Sequence, residues 1–459
     1  MTLNNYTLRA FFLILISSVQ AQTHIWTGNG GNQNWFNAAN WSSNTVPDSS
    51  SDVVIGENFL VVMADHSTVV NKLDLIDQAV LTLATDVTIN DVFRIESSGM
   101  LLWNEGGFIG GNLIENNGSM LLTTTEEKHL TNTHLVNKGT ITIINIGFLR
   151  LIDSPTIDNT STGFFHFNGG GNLTHQTGNP VFNNAGFFTK VGSTSSGGSY
   201  IVLEMNNEGV IDIGENQTFL FLSALGEFNN LENGKISGFG VYDITSPFFT
   251  PGTISPGDGS IGTLDFVNNF SLSPQTKLRL DIAGTNPGDY DVISVTGFPD
   301  LDGDFLINLT YSPQIGDEFT VITANEINSC NLPAQVTNTL GGGPQYLFDV
   351  ICNNTTVVLR VVEEVLAVSE FASKEIDFYV QPNPVTDEFR VILNASEGFA
   401  NSSESMSLRI YNMLGQEVNR ISNVSEESNI KRDNLSGGLY LIQLTSKDRV
   451  IATTKMVVQ

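Results

Sequence analysis

The sequence predicts an all-β protein: a parallel β-helix, right-handed by the usual twist of strands, followed by a small C-terminal antiparallel β-sandwich. Three observations carry this. A glycine turn signal recurs at Gly99, Gly118, Gly139, Gly163, Gly186, Gly209 and Gly234, in steps of 19 to 25 residues. A period in the twenties marks stacked coils. Two positions after each glycine the residue is apolar in all seven cases: Leu101, Met120, Ile141, Phe165, Phe188, Ile211 and Ile236. Four positions after it, Trp103, Leu122, Ile143, Phe167 and Ile213 are apolar, while Lys190 and Gly238 break the rule. The residues between are mostly polar (Thr142, His166, Thr189, Asp212, Ser237). This is period-2 alternation with one buried face, restarted once per coil. Coils this short leave no room for crossover helices, so strands stack about 4.8 Å apart. The third observation is a set of short alternating strands after residue 376, separated by turn residues.

Asn stands two positions before the glycine in four coils (Asn116, Asn137, Asn184, Asn207). Both residue types tolerate left-handed backbone angles, so the pair reads as a corner.

Taken from the start, residues 1–21 read as a secretory signal. Arg9 supplies the positive region, 10–17 the apolar stretch, and 19–21 a small-residue cleavage site before Gln22. The apolar run is too short to span a bilayer, and no later run is long enough. The chain is therefore read as exported, with no transmembrane segment. Lys and Arg total 20 against 48 Asp and Glu, a net charge of -28. Such a field repels nucleic acid and anionic lipid, and both are excluded as partners. The two cysteines, Cys330 and Cys352, are expected to form one disulfide in an oxidising compartment, worth ~3 kcal/mol.

Residues 22–250 are assigned to the β-helix with an N-terminal cap. Three of the four tryptophans, Trp26, Trp35 and Trp41, fall in its opening segment. Covering the open end of the first coil is the favoured role. The alternative is a carbohydrate contact, flat indoles packing on sugar faces. Strand-like runs from Val53 to Ile95 add two coils before the repeat. This opening resembles that of many bacterial surface β-helix and autotransporter-like proteins.

Residues 251–362 open with PGTISPGDGSIGTLDF and continue through DYDVISVTG, GDFLINLTY and GDEFTVITA. Over 252–324 they resemble the autotransporter passenger-associated repeat, which implies that the β-helix continues or is capped here. Asp300, Asp302 and Asp304 have the spacing with which oxygen-ligand calcium loops begin, but no bidentate carboxylate follows near Tyr311. A tight turn is the favoured reading, calcium the alternative, and no other cofactor is implied.

A polar linker is placed at 363–375, with its acidic run starting at Glu363 and Glu364, and the last unit at 376–459. Its Pro382-Asn383-Pro384, the block LRIYNMLGQEV with Gly415, the block LSGGLYLI with Gly438 and Tyr440, and the terminal KMVVQ with Lys455 occur in order. These blocks resemble the C-terminal sorting domain of the type IX secretion system of the Bacteroidetes. The resemblance implies a compact β-sandwich that addresses the protein to an outer-membrane translocon and is removed by a sorting protease. Gln381 stands where the family usually has an aromatic residue, and 398–405 form an extra polar insertion.

No catalytic constellation emerges. His166 and Asp212 share one outward position two coils apart, with nothing aligned between them in the sequence frame. His129 and His134 have poor spacing for a metal pair. The sequence contains no G-x-S-x-G, Walker, HExxH or Rossmann fingerprint. Two readings stay open: an adhesin-like, matrix-binding surface protein with a glycan or cell-surface ligand, which is favoured, and a polysaccharide-degrading or carbohydrate-binding one.

Overall fold

A computed structural model of the chain describes residues 22–459 except 111–112, 145–146, 193–198, 223–225, 246–247, 341–343, 366–375, 396–405, 425–427, 433–434 and 447–448. The signal at 1–21, most of the linker and the insertion at 398–405 lie outside the described residues. The chain divides into two compact units, Met1–Val365 and Leu366–Gln459.

The first unit is a parallel β-helix. One coil runs through strands Leu113–Asn116, Ser119–Leu122 and Glu127–Thr131, and the next through His134–Asn137, Thr140–Ile144 and Phe148–Ile152. Each strand pairs in parallel with its counterpart one coil on: Asn116 with Asn137, Met120 with Ile141, His129 with Arg150. Three parallel sheets result. In the opening coils the corner into the first sheet is a bend within one long strand, as at the register shift between Val70 and Lys72.

The seven apolar residues that follow the glycines stack in register down the second sheet, each at most 1% exposed. Phe165 and Phe188 lie nearly parallel, centroids 5.8 Å apart. Lys190 is buried in the neighbouring inward column, between Phe167 and Ile213. In the third sheet, Lys128 is fully buried and donates to the Thr124 and Glu126 carbonyls at 2.7 Å and to the Thr124 hydroxyl at 2.8 Å.

The corners are built differently from the sequence expectation. None of the seven glycines has a positive φ. They are required by close approach: a Cβ on Gly139 would lie 2.2 Å from the Gly118 carbonyl oxygen, and one on Gly209 2.2 Å from that of Gly186. At Gly118, Gly139, Gly186 and Gly209 glycine stacks on the glycine of the coil before, because the backbone there passes too close for a side chain. The asparagines do not take left-handed angles either. Asn116, Asn137, Asn159, Asn184, Asn207 and Asn230 point into the core, at most 1% exposed. Each Nδ2 donates to the Oδ1 of the next at 2.7 Å, and Asn230 ends the ladder on the Thr250 hydroxyl at 2.7 Å. From Asn116 to Asn207 the second N–H reaches the carbonyl that opens the next coil's second-sheet strand, at 3.1–3.4 Å. In the coil before Asn116 the position is Ile95, so the buried Asn116 Oδ1 has no donor.

Both ends are covered. Trp26, Trp35 and Trp41 are at most 3% exposed, with Trp41 edge-on to Trp26 at 4.9 Å and to Trp35 at 4.8 Å. Trp41 Nε1 donates to the Trp35 carbonyl at 2.7 Å. This corrects the carbohydrate-contact alternative: no indole face is open to a sugar, because all three rings fill the end of the core. At the other end, parallel stacking in one sheet stops at strand Glu318–Ala324, and in another at Ser329–Cys330. Strand Thr356–Val365 pairs with Glu318–Ala324 antiparallel, and Gln345–Cys352 pairs antiparallel in turn. Cys330 and Cys352 are joined by a disulfide that ties this hairpin to the coil before it. The alternation of Thr356–Val365 carries Glu363 and Glu364 into pairing opposite Leu347 and Tyr346, so the strand extends past the linker boundary placed at 363.

The second unit packs a three-stranded sheet (Ile376–Gln381, Glu388–Ala395, Asn429–Lys431) on a four-stranded one (Glu417–Val424, Met406–Tyr411, Gly438–Ser446, Arg449–Val458). Phe378, Val380, Phe389 and Val391 meet Leu408, Ile410, Ile442, Leu444 and Met456 in its core. The predicted antiparallel β-sandwich is present.

Two predictions follow from this interior. Asn159→Ala strands the Asn184 acceptor and an Asn137 N–H away from water, each worth about 1–3 kcal/mol. The β-helix urea transition should fall by about 2–6 kcal/mol, against less than about 1 kcal/mol for Asn183→Ala on the solvent face. Separately, burial lowers the Lys128 amine from its ordinary 10.5 to about 8. Between pH 8 and 10.5 the unfolded chain then holds more protons than the folded one. Stability should rise with pH across that window, less steeply in Lys128→Met, as read by urea midpoints.

Candidate functional site

All seven residues of the predicted sorting signal lie in the second unit, and most converge on its last strand, Arg449–Val458. One edge of this strand pairs with Gly438–Ser446. The other would be left open, and the Pro382-Asn383-Pro384 segment closes part of it. Neither proline carries an N–H, so neither can extend a ladder. The Asn383 side chain takes the place of a strand backbone: Oδ1 accepts from the Val457 N–H at 2.8 Å and Nδ2 donates to the Lys455 carbonyl at 3.1 Å. Val385 N–H then donates to the Val457 carbonyl at 2.7 Å, and Gln459 N–H to the Val385 carbonyl at 2.9 Å. The peptide bonds before Pro382 and Pro384 are cis.

Gly415 holds φ 76° in the turn after Met406–Tyr411, a conformation that suits glycine. Asn412 Oδ1 fixes that turn by accepting the Leu414 and Gln416 N–H groups at 3.0 Å. The Tyr440 hydroxyl donates to the Ser436 carbonyl at 2.8 Å. Gly415, Tyr440 and Lys455 line one pocket of about 560 Å³ together with Tyr411, Met413 and Leu441. Gly438 opens its strand opposite Val458, away from that lining.

Arg432 was missed by sequence reasoning. Its guanidinium donates to the Leu435 carbonyl at 2.9 Å, the Thr386 carbonyl at 3.0 Å and the Gln459 carbonyl. One side chain thereby ties the turn before Gly438, the segment after the prolines and the end of the last strand. A lone arginine has no motif spacing to announce it.

On the β-helix, Asp300, Asp302 and Asp304 each have partners of their own. Asp300 lies in a strand between Ser271 and Ser329. Its oxygens accept from Ser329 at 2.7 Å, Asn328 at 2.5 Å and Ser271 at 3.2 Å, bonds that hold its carboxyl below the usual range. Asp302 caps the Gly303 N–H, and Asp304 takes the Phe305 N–H and pairs with Lys277. Lateral hydrogen bonds thus occupy Asp300, and local backbone N–H groups are taken by Asp302 and Asp304; no cluster of three or more His, Cys, Asp or Glu able to hold a metal occurs among the described residues.

His166 and Asp212 do belong to one continuous row. Thr189 stands between them, 2.5 Å from His166 Nδ1, and Ser237 follows, donating to Asp212 at 3.2 Å. Burial, then the charge of Asp258, raises the Asp212 carboxyl. Asp258 arrives from outside the strand register, on a turn with φ 45°, ion-paired to Lys235. Two glycines around an aspartate in PGDGS are the signal that could have found it.

On the outer face of the first sheet, His134 meets Asp158 at 2.6 Å. Asn183 donates to Asp158 at 2.8 Å, Asn206 to Asn183 at 3.1 Å and Asn229 to Asn206 at 3.0 Å. His129 instead faces Asp86 at 3.4 Å.

Residues 379–459 match the family described as a secretion system C-terminal sorting domain. Residues 25–219 match a domain of unknown function (DUF8693). No curated protein matches the chain.

Asn383→Ala removes two hydrogen bonds from the last strand, worth about 1 kcal/mol each. Its expected effect is an earlier unfolding of the C-terminal unit by about 1–3 kcal/mol and less protein delivered outside the cell, measured by urea titration and by immunoblot of surface and medium fractions.

Proposed function

From a C-terminal unit that is a type IX secretion sorting domain, on a β-helix protein exported across the outer membrane, we propose that the β-helix is an adhesin-like, matrix-binding rod, held at the surface or released. The leader at 1–21 would deliver the chain to the periplasm, and the translocon and sorting protease would be its partners in transit. The resemblance of 252–324 to the passenger repeat of autotransporters supports the same use of the fold.

The observation that carries the reading is the solvent-facing row Asp158, Asn183, Asn206 and Asn229. Asn183 spends one N–H and one lone pair on its neighbours, while Asn206 also donates to Glu204 at 3.3 Å; the remaining N–H of Asn183 and the second lone pair of each amide oxygen are left for solvent or a ligand. Repeated at the strand spacing of about 4.8 Å, these groups suit a polymer that is itself repetitive and polar. In the same coils Phe164 and Phe187, each 40% exposed, stack 5.0 Å apart and offer an apolar edge.

The chain should be retained on whole cells or on one polysaccharide of a mixed acidic and neutral panel. The double substitution Asn183→Ala, Asn206→Ala should weaken retention at least tenfold with the thermal transition within a few degrees. Unchanged retention in that variant would sink the reading.

Glycan cleavage is the second reading, favoured by Asp212, whose raised carboxyl stands within the field of Asp258 beside the half-exposed Phe239 ring. A carboxyl whose ionised form burial disfavours, with a second carboxyl nearby, has the asymmetry an acid–base pair needs. New reducing ends that appear with the native chain and vanish with Asp212→Asn would replace the adhesin reading by this one.

A further inference from the structure

The pocket on the sorting unit combines three features that define what fits it. Its volume, about 560 Å³, lies within the range of ligand-binding clefts. Its rim is apolar and open: Met413 is 71% exposed, Leu439 39% and Leu441 37%. Its one cationic lining residue is Lys455, exposed and without an ion-pair or side-chain hydrogen-bond partner among the described residues, in a chain of net charge -28. Leu441 and Lys455 are cross-strand partners, and Tyr411 pairs with Leu441 from the next strand. An apolar floor and a single ammonium therefore sit side by side on a regular sheet.

We infer that this pocket receives an extended apolar peptide segment bearing one carboxylate, presented by the export machinery. The inference rests on the reading of this unit as a sorting domain and adds the chemistry of the partner. Residues 376–459 hold eight Lys or Arg against ten Asp or Glu, so the selection of a carboxylate rests on the Lys455 ammonium within the pocket and not on the net charge of the unit. Apolar contacts supply affinity, and the charge selects the register of the segment.

The test uses the full chain and fluorescein-labelled acetyl-Leu-Val-Asp-Val-Leu-amide, followed by anisotropy at physiological salt. Expected is saturable binding at least tenfold tighter than for the same peptide with Asn in place of Asp. Lys455→Gln should erase that difference while keeping weak binding of both peptides. Leu441→Asp should lose both, with the thermal transition of each variant checked against the native chain. Equal affinity of the two peptides, survival of the difference in Lys455→Gln, or no saturation up to millimolar peptide would overturn the inference. Export is scored separately: a chain lacking 379–459 that still reaches the surface would overturn the sorting reading itself, whatever the peptides do.

Discussion

The β-helix depends on one constraint: an amide must be satisfied inside an otherwise apolar core. Each interior asparagine brings a polar group to a place without water, where an unmade hydrogen bond is costly. It is satisfied only if the next coil places another acceptor at the strand spacing and a carbonyl beside it. Coil n therefore fixes the position and register of coil n+1. Apolar stacking alone would tolerate a slip of two residues along a strand, since the alternation repeats. The amide ladder does not, because its second N–H bonds the carbonyl that opens the following strand. Packing provides most of the stabilisation and the ladder provides the register.

The glycine stack is the steric half of the same corner. The asparagine draws the chain inward at the end of the first sheet, and the backbone then passes directly over the preceding corner. At Gly118, Gly139, Gly186 and Gly209 any side chain would collide with a carbonyl oxygen of the coil below. Corner and ladder are thus one device, and it runs from Asn116 to Thr250. Before it, Ile95 and Leu75 hold the ladder position and packing alone sets the register; there the coils are also shorter and turn through a bulge.

This explains how much of the molecule was legible. Periodicity showed the coils because burial of alternate residues depends on residue type alone: the seven residues two after the glycines are the buried column. The asparagines were visible as a motif but were given the wrong cause. Local backbone preference and a buried amide ladder select the same Asn–x–Gly string, and only the side-chain direction separates them. Asn159 and Asn230 escaped because two extra residues part them from their glycines, although they sit in the same ladder. The tryptophans were read in two ways for a similar reason, since a platform and a plug need the same flat rings. Asp258 was invisible because it reaches the Asp212 row from a loop, and strand register says nothing about loops. The three-aspartate spacing says nothing of the strand in which its first member lies, where neighbouring coils supply the hydrogen bonds of Asp300.

The C-terminal motif divides on the same physical ground. Along the last strand Met456 and Val458 face the core, buried, while Lys455 and Val457 face out. Asn383 and Arg432 touch only backbone atoms around that strand, so their work is to hold it in place and close its edge against stray pairing. Asn383 does this from an exposed position and Arg432 from a half-buried one. The unit turns to solvent the outward half of the strand and the turn at Gly415. The residues that make the motif recognisable in sequence are therefore largely those that build the strand. The peptide contact proposed above draws instead on the side chains that the strand turns away from its core.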